Sequence, residues 1–177
     1  MAELELKILD GIQEVFGSAF SDCFFPAVTK LGNAGMIWIV LTLLLVIVPR
    51  TRRAGYMAAF SLALEAAVCN LILKPMVARI RPCDLAEGIQ LLIGRPEDYS
   101  FPSGHTSAGF AVAAALLLSG SRLGIPTLVL AVMIAFSRLY LYVHFPTDVL
   151  AGALLGIAAA LVVRSCKNVT ERRKNRL

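Results

Sequence analysis

The hydrophobic pattern divides the chain into long apolar segments separated by short polar ones. A helix that spans a bilayer needs about 20 mostly apolar residues, within a range of about 17–25. Five segments meet this requirement and are predicted to be transmembrane helices: 33–49, 54–74, 104–120, 123–143 and 147–165. We therefore expect an all-α integral membrane helical bundle that forms one membrane-embedded domain over residues 1–177.

Residues 4–20 show a different pattern. Apolar side chains recur here at spacings of three and four residues, while charged residues such as Glu3 and Lys7 occupy the other faces. This pattern is typical of an amphipathic helix that lies in the membrane interface and does not cross it. The chain is then expected to turn into the first span at residues 24–26 and 31–33.

The composition also favours a membrane protein. Hydrophobic residues make up 58% of the chain and charged residues only 16%, whereas soluble domains carry about 25% charged residues. This composition excludes a disordered chain and argues against an ordinary soluble enzyme. Cys23, Cys69, Cys83 and Cys166 are widely scattered, so they predict neither a disulfide framework nor a zinc site. No cofactor or metal is expected.

The distribution of Lys and Arg predicts the topology. In a soluble protein the net charge of +5 would raise nucleic acid as a partner, but here the positive-inside rule accounts for the basic residues and no nucleic acid is expected. With residues 50–53 in the cytoplasm, the basic tail 166–177 is cytoplasmic and the 75–103 loop is extracytoplasmic. We expect a multi-pass protein of the cell membrane. Ten of the 17 basic residues then lie on the cytoplasmic side: Arg50, Arg52, Arg53, Arg122, Arg164, Lys167, Arg172, Arg173, Lys174 and Arg176.

Three polar clusters lie at the ends of predicted spans, over residues 74–82, 101–106 and 137–148. The hairpin topology brings all three to the same face of the membrane. Lys74 and Arg81 are seven residues apart, which is two helical turns, so one helical face is expected to present both cations.

The residue types in these clusters indicate phosphate as the ligand. Ser103 is a natural N-cap, and Gly104 allows close backbone approach at a helix N-terminus, where free N–H groups attract anions. Lys74, Arg81 and Arg138 add positive charge, and Arg holds phosphate oxygens in a bidentate manner. No cluster of Asp and Glu suited to magnesium is present in the sequence. The residues therefore predict metal-free phosphoryl transfer through histidine.

Three motifs carry a resemblance to a known family. K-x6-R-P at 74–82, P-S-G-H at 102–105 and S-R-x5-H-x3-D at 137–148 resemble the signatures of the type 2 phosphatidic acid phosphatase superfamily. All three are complete and in the family's order, and together they cover residues 74–148. The resemblance implies a helical membrane fold and the hydrolysis of a lipid phosphate or diphosphate.

The resemblance also implies a role for each site residue. His144 would be the nucleophile that becomes phosphohistidine, and Asp148 would hold its other ring nitrogen. His105 would protonate the leaving oxygen and then help to activate water. The remaining motif residues would hold the phosphate oxygens as charge redistributes: Lys74, Arg81, Ser103, Gly104 and Arg138.

The expected substrate is a lipid that stays embedded in the membrane, approached from the extracytoplasmic side. An isoprenoid diphosphate of the undecaprenyl pyrophosphate type is favoured, with phosphatidate or phosphatidylglycerophosphate as the alternative. Transfer of the phosphate to another lipid, in place of water, is a related alternative. Two alternatives from other classes are a lipid-headgroup transporter or scramblase and a non-catalytic scaffold that binds headgroups. A homodimer is possible and not required.

Several other polar or small residues receive structural interpretations. Arg79 is expected to contact headgroups or solvent, and Tyr140 and Tyr142 are expected to belong to an interfacial aromatic belt. Glu65 lies inside a predicted span and is expected to be a protonated carboxyl hydrogen-bonded within the bundle. The pair at 152 and 156 is expected to pack inside the bundle, with a dimer face as the alternative.

Overall fold

The fold is given by a computed structural model that describes residues 2–86 and 88–174, so the last three residues of the predicted basic tail lie outside it. All regular secondary structure in the described residues is helical. Two short irregular turns, a 3-10 turn (Asn33–Gly35) and a π-helical turn (Val68–Leu73), accompany the helices. The helices are α1 (Ala2–Phe16), α2 (Ala19–Leu31), α3 (Met36–Ile47), α4 (Arg52–Ala67), α5 (Lys74–Val77), α6 (Pro82–Leu85), α7 (Gly104–Leu118), α8 (Gly124–Tyr140) and α9 (Pro146–Lys174).

Helices lie over each of the five segments predicted to span the membrane. Two segments of the described chain are long and apolar enough to cross a bilayer, Arg52–Leu85 and Pro146–Lys167. A third is present if Ala19–Leu31 and Asn33–Ile47, which are bent by 43° relative to each other, act as one span. Helices α7 and α8 are apolar but shorter. The protein is an all-helical membrane protein.

Helix α7 lies at the centre of the bundle, in contact with α4, α8 and α9. Its small side chains allow this, because Ala111, Ala113 and Ala115 are completely buried. Gly109 is packed so closely that an added Cβ would lie 3.0 Å from the Trp38 ring and 2.9 Å from Ala131. The N-terminal end of α7, which carries the second motif, is therefore held in place by three neighbouring helices.

Helices α7 and α9 touch through their backbones. A Cβ added to Gly152 would lie 2.6 Å from the Ser103 carbonyl oxygen, and one added to Gly156 would lie 2.3 Å from the Ser107 carbonyl oxygen. The two glycines thus pack inside the bundle, as expected from the sequence. The crossing of α7 and α9 also brings the second and third motifs together, because the Ser103 N–H donates to the Asp148 carbonyl oxygen at 3.1 Å.

The N-terminal region differs from the prediction. The single helix expected over 4–20 is two helices, and Ser18 begins the second as its N-cap, with its Oγ accepting from the Ser21 N–H at 3.1 Å. Residues 24–26 do not turn the chain but lie inside α2. Contacts between aromatic rings stabilise this helix despite the internal Pro26.

Tyr140 and Tyr142 do not form an interfacial belt, because both side chains are buried. The Tyr140 hydroxyl donates to Asp22 of α2 at 2.6 Å, and the Tyr142 hydroxyl donates to Asp10 of α1 at 2.7 Å. The Phe25 ring also packs on Tyr140, with 4.5 Å between ring centroids. Carboxylates on α1 and α2 therefore cover the end of α8 and give these buried hydroxyls their partners.

Substituting Gly156 tests the close crossing of α7 and α9. We expect Gly156→Ala to lower the free energy of unfolding by about 1–3 kcal/mol, since the new methyl group meets backbone atoms that cannot move independently. Gly11→Ala is the matched control, because a Cβ at Gly11 has no neighbour within 4 Å. Thermal unfolding in detergent measures both. A Gly156→Ala variant as stable as the Gly11→Ala variant would contradict the crossing.

Candidate active site

The first motif does not form the continuous helical face predicted for its two cations. A π-helical turn precedes Lys74, and Ala78 adopts a left-handed conformation with φ of 46° that ends the helix. Arg81 therefore lies in extended backbone after this break. The sequence spacing of two turns was misleading, because the helix stops one turn after Lys74.

The Asp98 side chain nevertheless brings the two cations together. Lys74 Nζ forms an ion pair with one carboxylate oxygen, and Arg81 Nη2 pairs with the other at 2.7 Å. Arg81 Nε also donates to the Asp98 carbonyl oxygen at 2.8 Å. Partial burial raises the pKa of Asp98, but the adjacent Lys74 and Arg81 charges outweigh this and hold the pKa at about 2. Asp98 thus marks a place where these cations hold an anion.

His144 lies in the buried loop between α8 and α9. Its Nε2 atom lies 3.2 Å from Arg81 Nη1, and because guanidinium groups only donate, Nε2 accepts this hydrogen bond and Nδ1 carries the ring proton. Burial lowers the pKa of His144 to about 3, assisted by Arg138 and Arg81 and opposed by Asp148. The ring is therefore a neutral imidazole whose unprotonated nitrogen lies beside a cation that holds anions.

Asp148 lies on the other side of His144. Its Oδ2 atom is 3.7 Å from His144 Nδ1, an ion-pair distance that is too long for a hydrogen bond. The same oxygen accepts from Ser100 Oγ at 2.5 Å and from the Phe145 N–H at 2.9 Å. Its Oδ1 atom accepts from Arg79 Nη1 at 2.6 Å. The carboxylate is completely buried and is aimed at the ring by these three donors.

The structure corrects the expectation for Arg79. This side chain does not serve as a headgroup or solvent contact, because it is largely buried and pairs with both Asp148 and Glu5, each at 2.6 Å. A buried carboxylate needs a partner of opposite charge, and Arg79 supplies it for Asp148. The neighbouring Ser100 was also missed by the sequence analysis.

His105 lies at the start of α7, where the bend between α2 and α3 reaches it. Its Nε2 atom is 3.1 Å from Asn33 Oδ1. Gly32 permits this approach, because an added Cβ would lie 2.8 Å from the His105 ring. The sequence analysis treated Gly32 and Asn33 only as a turn. A small residue followed by a polar one beside a span could have indicated a close polar contact with a neighbouring helix.

The remaining motif residues surround the same volume. Arg138 is almost fully buried, and its Nη1 donates to Thr29 Oγ1 of α2 at 2.7 Å. Ser103 occupies the N-cap position of α7, but its Oγ accepts from Thr106 Oγ1 at 3.0 Å and caps no backbone N–H. A Cβ at Gly104 would lie 3.8 Å from Lys74 Nζ, so the start of α7 lies close to the cations.

Two cavities meet at His105. One of about 320 Å³ runs between α3, α4 and α7, from Ile39 and Leu62 to Lys74. Another of about 550 Å³ lies under the 91–96 loop beside Arg138. His105 thus lines both cavities, one of which also contains Lys74 and the other Arg138.

Glu65 lies on the wall of the smaller cavity and accepts a hydrogen bond from Ser107 Oγ at 2.5 Å. This is the hydrogen bond inside the bundle that the sequence analysis expected for this carboxyl group. Within the described residues, no group of three or more His, Cys, Asp or Glu side chains is arranged to hold a metal ion.

The ionisation state of His144 can be measured directly, because the chain has only two histidines. In a His105→Gln variant labelled with 15N-histidine, we expect the spectrum of a neutral ring from about pH 7.5 down to about pH 5. The lowered pKa favours the neutral form, so protonation begins only as the pH falls towards 3. A titration midpoint near the ordinary value of about 6.5 would contradict this assignment.

Comparisons with known proteins agree with this arrangement. The model of the PAP2 superfamily matches residues 54–172. Over 121 residues the chain is 39% identical to the undecaprenyl-diphosphatase of Sulfolobus acidocaldarius, a match that covers 68% of this chain and 58% of that protein. It is 34% identical to the decaprenylphosphoryl-5-phosphoribose phosphatase of Mycobacterium tuberculosis strain H37Rv, covering 78% of this chain and 76% of the relative.

A solved structure is similar over nearly the whole chain. The crystal structure of LpxE from Aquifex aeolicus superposes with a TM-score of 0.78 at 30% identity, covering 92% of this chain and 95% of that one. The family match includes all three motifs, whose side chains converge at His105, His144 and the paired cations. The chain belongs to the PAP2 superfamily.

Proposed function

We propose that this protein is a metal-independent membrane phosphatase that removes a phosphate from a lipid phosphate or diphosphate through a phosphohistidine intermediate. Undecaprenyl diphosphate is the favoured substrate. The observation that carries the proposal is the contact between His144 Nε2 and Arg81, whose guanidinium also holds the Asp98 carboxylate. A nucleophilic nitrogen thus lies beside cations that already bind an anion.

Before the first step, Arg81 Nη1 transfers its hydrogen bond from His144 Nε2 to a phosphoryl oxygen, which frees the nitrogen lone pair. That lone pair then attacks phosphorus and forms the N–P bond while the P–O bond to the leaving lipid breaks. The leaving oxygen receives a proton from His105 when it is an alkoxide, or departs as lipid phosphate from a diphosphate. Asp148 stabilises the positive charge that develops on the ring. The phosphoryl oxygens are held by the cations and the start of α7: Lys74, Arg81, Ser103, Gly104 and Arg138.

In the second step, water attacks the phosphorus of the phosphohistidine. His105, which is neutral at this stage, accepts a proton from this water, the N–P bond breaks, and inorganic phosphate leaves with His144 restored. After departure of an alkoxide this proton replaces the one that His105 donated. After departure of lipid phosphate His105 has donated none, and the proton passes to solvent. For phosphate to enter, Asp98 has to release the two cations that it holds, since a carboxylate and a phosphate compete for the same donors. Every step uses side chains of this chain, so the mechanism needs no metal.

The cavities support a lipid substrate. The cavity between α3, α4 and α7 is lined by apolar side chains such as Ile39 and Leu62 together with polar ones, Glu65, Asn70, Lys74 and His105. This arrangement suits a lipid whose apolar chain lies between the helices while its phosphate reaches the cations. The similarity to an undecaprenyl-diphosphatase at 39% identity favours an isoprenoid diphosphate within this class.

The membrane arrangement is part of the same proposal. We place five spans across the cell membrane, with α1 in the interface and the site on the extracytoplasmic face. Basic residues gather at the opposite end of the bundle around a cavity of about 880 Å³, which the positive-inside rule assigns to the cytoplasm. These residues are Arg50, Arg53, Arg122, Arg164 and Lys167.

The test is phosphate release by the purified protein, in the presence of EDTA, from undecaprenyl diphosphate, phosphatidate and phosphatidylglycerophosphate. We expect the highest kcat/KM with undecaprenyl diphosphate. Arg138→Ala should lower kcat by about 10²–10³, the cost of losing one preorganised donor to the transition state.

Arg122→Ala is the matched control, because Arg122 is an exposed arginine at the end of the bundle opposite the site. It should retain wild-type kcat. Full activity of Arg138→Ala, or activity that depends on added magnesium, would contradict the mechanism. Movement of lipid across vesicles without release of phosphate would favour a transporter or scramblase instead.

A further inference from the structure

Helix α1 makes polar contacts with the loop that carries His144, although it contains none of the three motifs. The Gln13 side chain donates to the Tyr140 carbonyl oxygen at 2.9 Å, and Asp10 accepts from Tyr142 Oη. Tyr142 has a positive φ of 59°, a conformation that costs energy in a residue other than glycine. The contact with Asp10 therefore helps to hold a strained residue two positions before His144.

Glu5 makes the most direct connection between α1 and the site. Its side chain is buried, and its Oε1 accepts from the Thr147 hydroxyl at 2.6 Å and from the Thr147 N–H at 3.2 Å. Its Oε2 accepts from Arg79 Nη2 at 2.6 Å. Burial raises the pKa of Glu5, but the hydrogen bonds from Thr147 and Arg79 outweigh it and lower the pKa below its ordinary value. Glu5 is therefore an ionised acceptor.

Arg79 connects Glu5 to the segment that carries His144 and Asp148. While Nη2 holds Glu5, Nη1 donates to Asp148 Oδ1 at 2.6 Å and to Thr147 Oγ1 at 2.7 Å. The guanidinium also lies over the Phe145 ring, 4.0 Å from its centroid. A planar guanidinium offers several donors in fixed directions, so it sets the orientation of both carboxylates.

We propose that Glu5 and Arg79 are positioning residues for the reaction: α1 holds Arg79 through Glu5, and Arg79 aims the Asp148 carboxylate at His144. Helix α1 then contributes to the reaction by fixing the position of Arg79. Neither residue touches the phosphoryl group, so both act through Asp148. This inference rests on the proposed function of His144 as the nucleophile.

The arrangement predicts a loss of rate without a loss of phosphate affinity. Asp148 stabilises the charge that develops on His144 during attack, whereas Lys74, Arg81 and Arg138 hold the phosphate. Glu5→Gln keeps the shape of the side chain but removes its charge, and Arg79→Lys keeps the charge but loses the planar set of donors. Each should lower kcat by about tenfold, the scale of one charge-assisted hydrogen bond, and leave inhibition by inorganic phosphate unchanged.

The experiment measures kcat, the inhibition constant of inorganic phosphate and the melting temperature for the wild type, Glu5→Gln, Arg79→Lys and the double variant. Glu3→Gln is the matched control, because Glu3 is an exposed carboxylate on the same helix. In the Arg79→Lys background, Glu5→Gln should lower kcat by no more than about a further twofold, since the two residues act in series. A second readout is the 15N spectrum of His144 in the His105→Gln background. There, Glu5→Gln should shift the Nδ1 signal and Glu3→Gln should not.

Wild-type kcat in Glu5→Gln, or a kcat that rises because Arg79 merely neutralises Asp148, would overturn the inference. Additive losses would also overturn it, because they show that Glu5 and Arg79 act independently. Losses of kcat that come with weaker inhibition by phosphate and a lower melting temperature would overturn it too, because they indicate a role in folding alone. If the wild type releases no phosphate from any lipid, the proposed function fails and the His144 spectrum decides the inference by itself. An unchanged Nδ1 signal in Glu5→Gln then refutes it.

Discussion

The structure depends on the need to give buried charges partners at one end of a helical bundle. Arg81, Arg138 and Asp148 are all withdrawn from water, and an unpaired charge is costly there. Elements far apart in the sequence supply the partners, including α1, α2 and the loop before α7. The helices are therefore fixed relative to one another by the same contacts that shape the site.

The cations of the site are only partly satisfied without a substrate. The single Asp98 carboxylate pairs with both Lys74 and Arg81 and so compensates only one of their two positive charges. Arg138 makes one hydrogen bond through Nη1, to the neutral Thr29 hydroxyl. A phosphate placed between these groups gives each of them a stronger acceptor and leaves Asp98 free to move towards solvent. Under the proposed function, affinity for a phosphate dianion follows from charges that the fold has already gathered and desolvated.

Sequence patterns predicted what is local in the chain. Apolar runs of membrane length predicted the first residues of α3, α4, α7, α8 and α9 to within three residues, although α9 continues to Lys174, past the predicted end at 165. The three motifs named residues that the fold brings together. The sequence did not predict contacts between distant segments. The Thr147 N–H donates to Glu5, 142 residues away, and the spacing of apolar residues gives no information about such a contact. The break in the helix at Ala78 was not predicted either, because a residue in the left-handed conformation leaves the pattern of apolar residues unchanged. Arg79 was wrongly expected to contact headgroups or solvent, because its partners Glu5 and Asp148 lie on α1 and α9.

The most direct measurement of the central claim is rapid-quench labelling with undecaprenyl diphosphate that carries 32P in its terminal phosphate. The account predicts acid-labile, alkali-stable label on His144 in the wild type. More label should accumulate in His105→Ala, where water is activated slowly, and none should appear in His144→Ala. Label on any other residue, or continued turnover by His144→Ala, would contradict the assignment of His144 as the nucleophile.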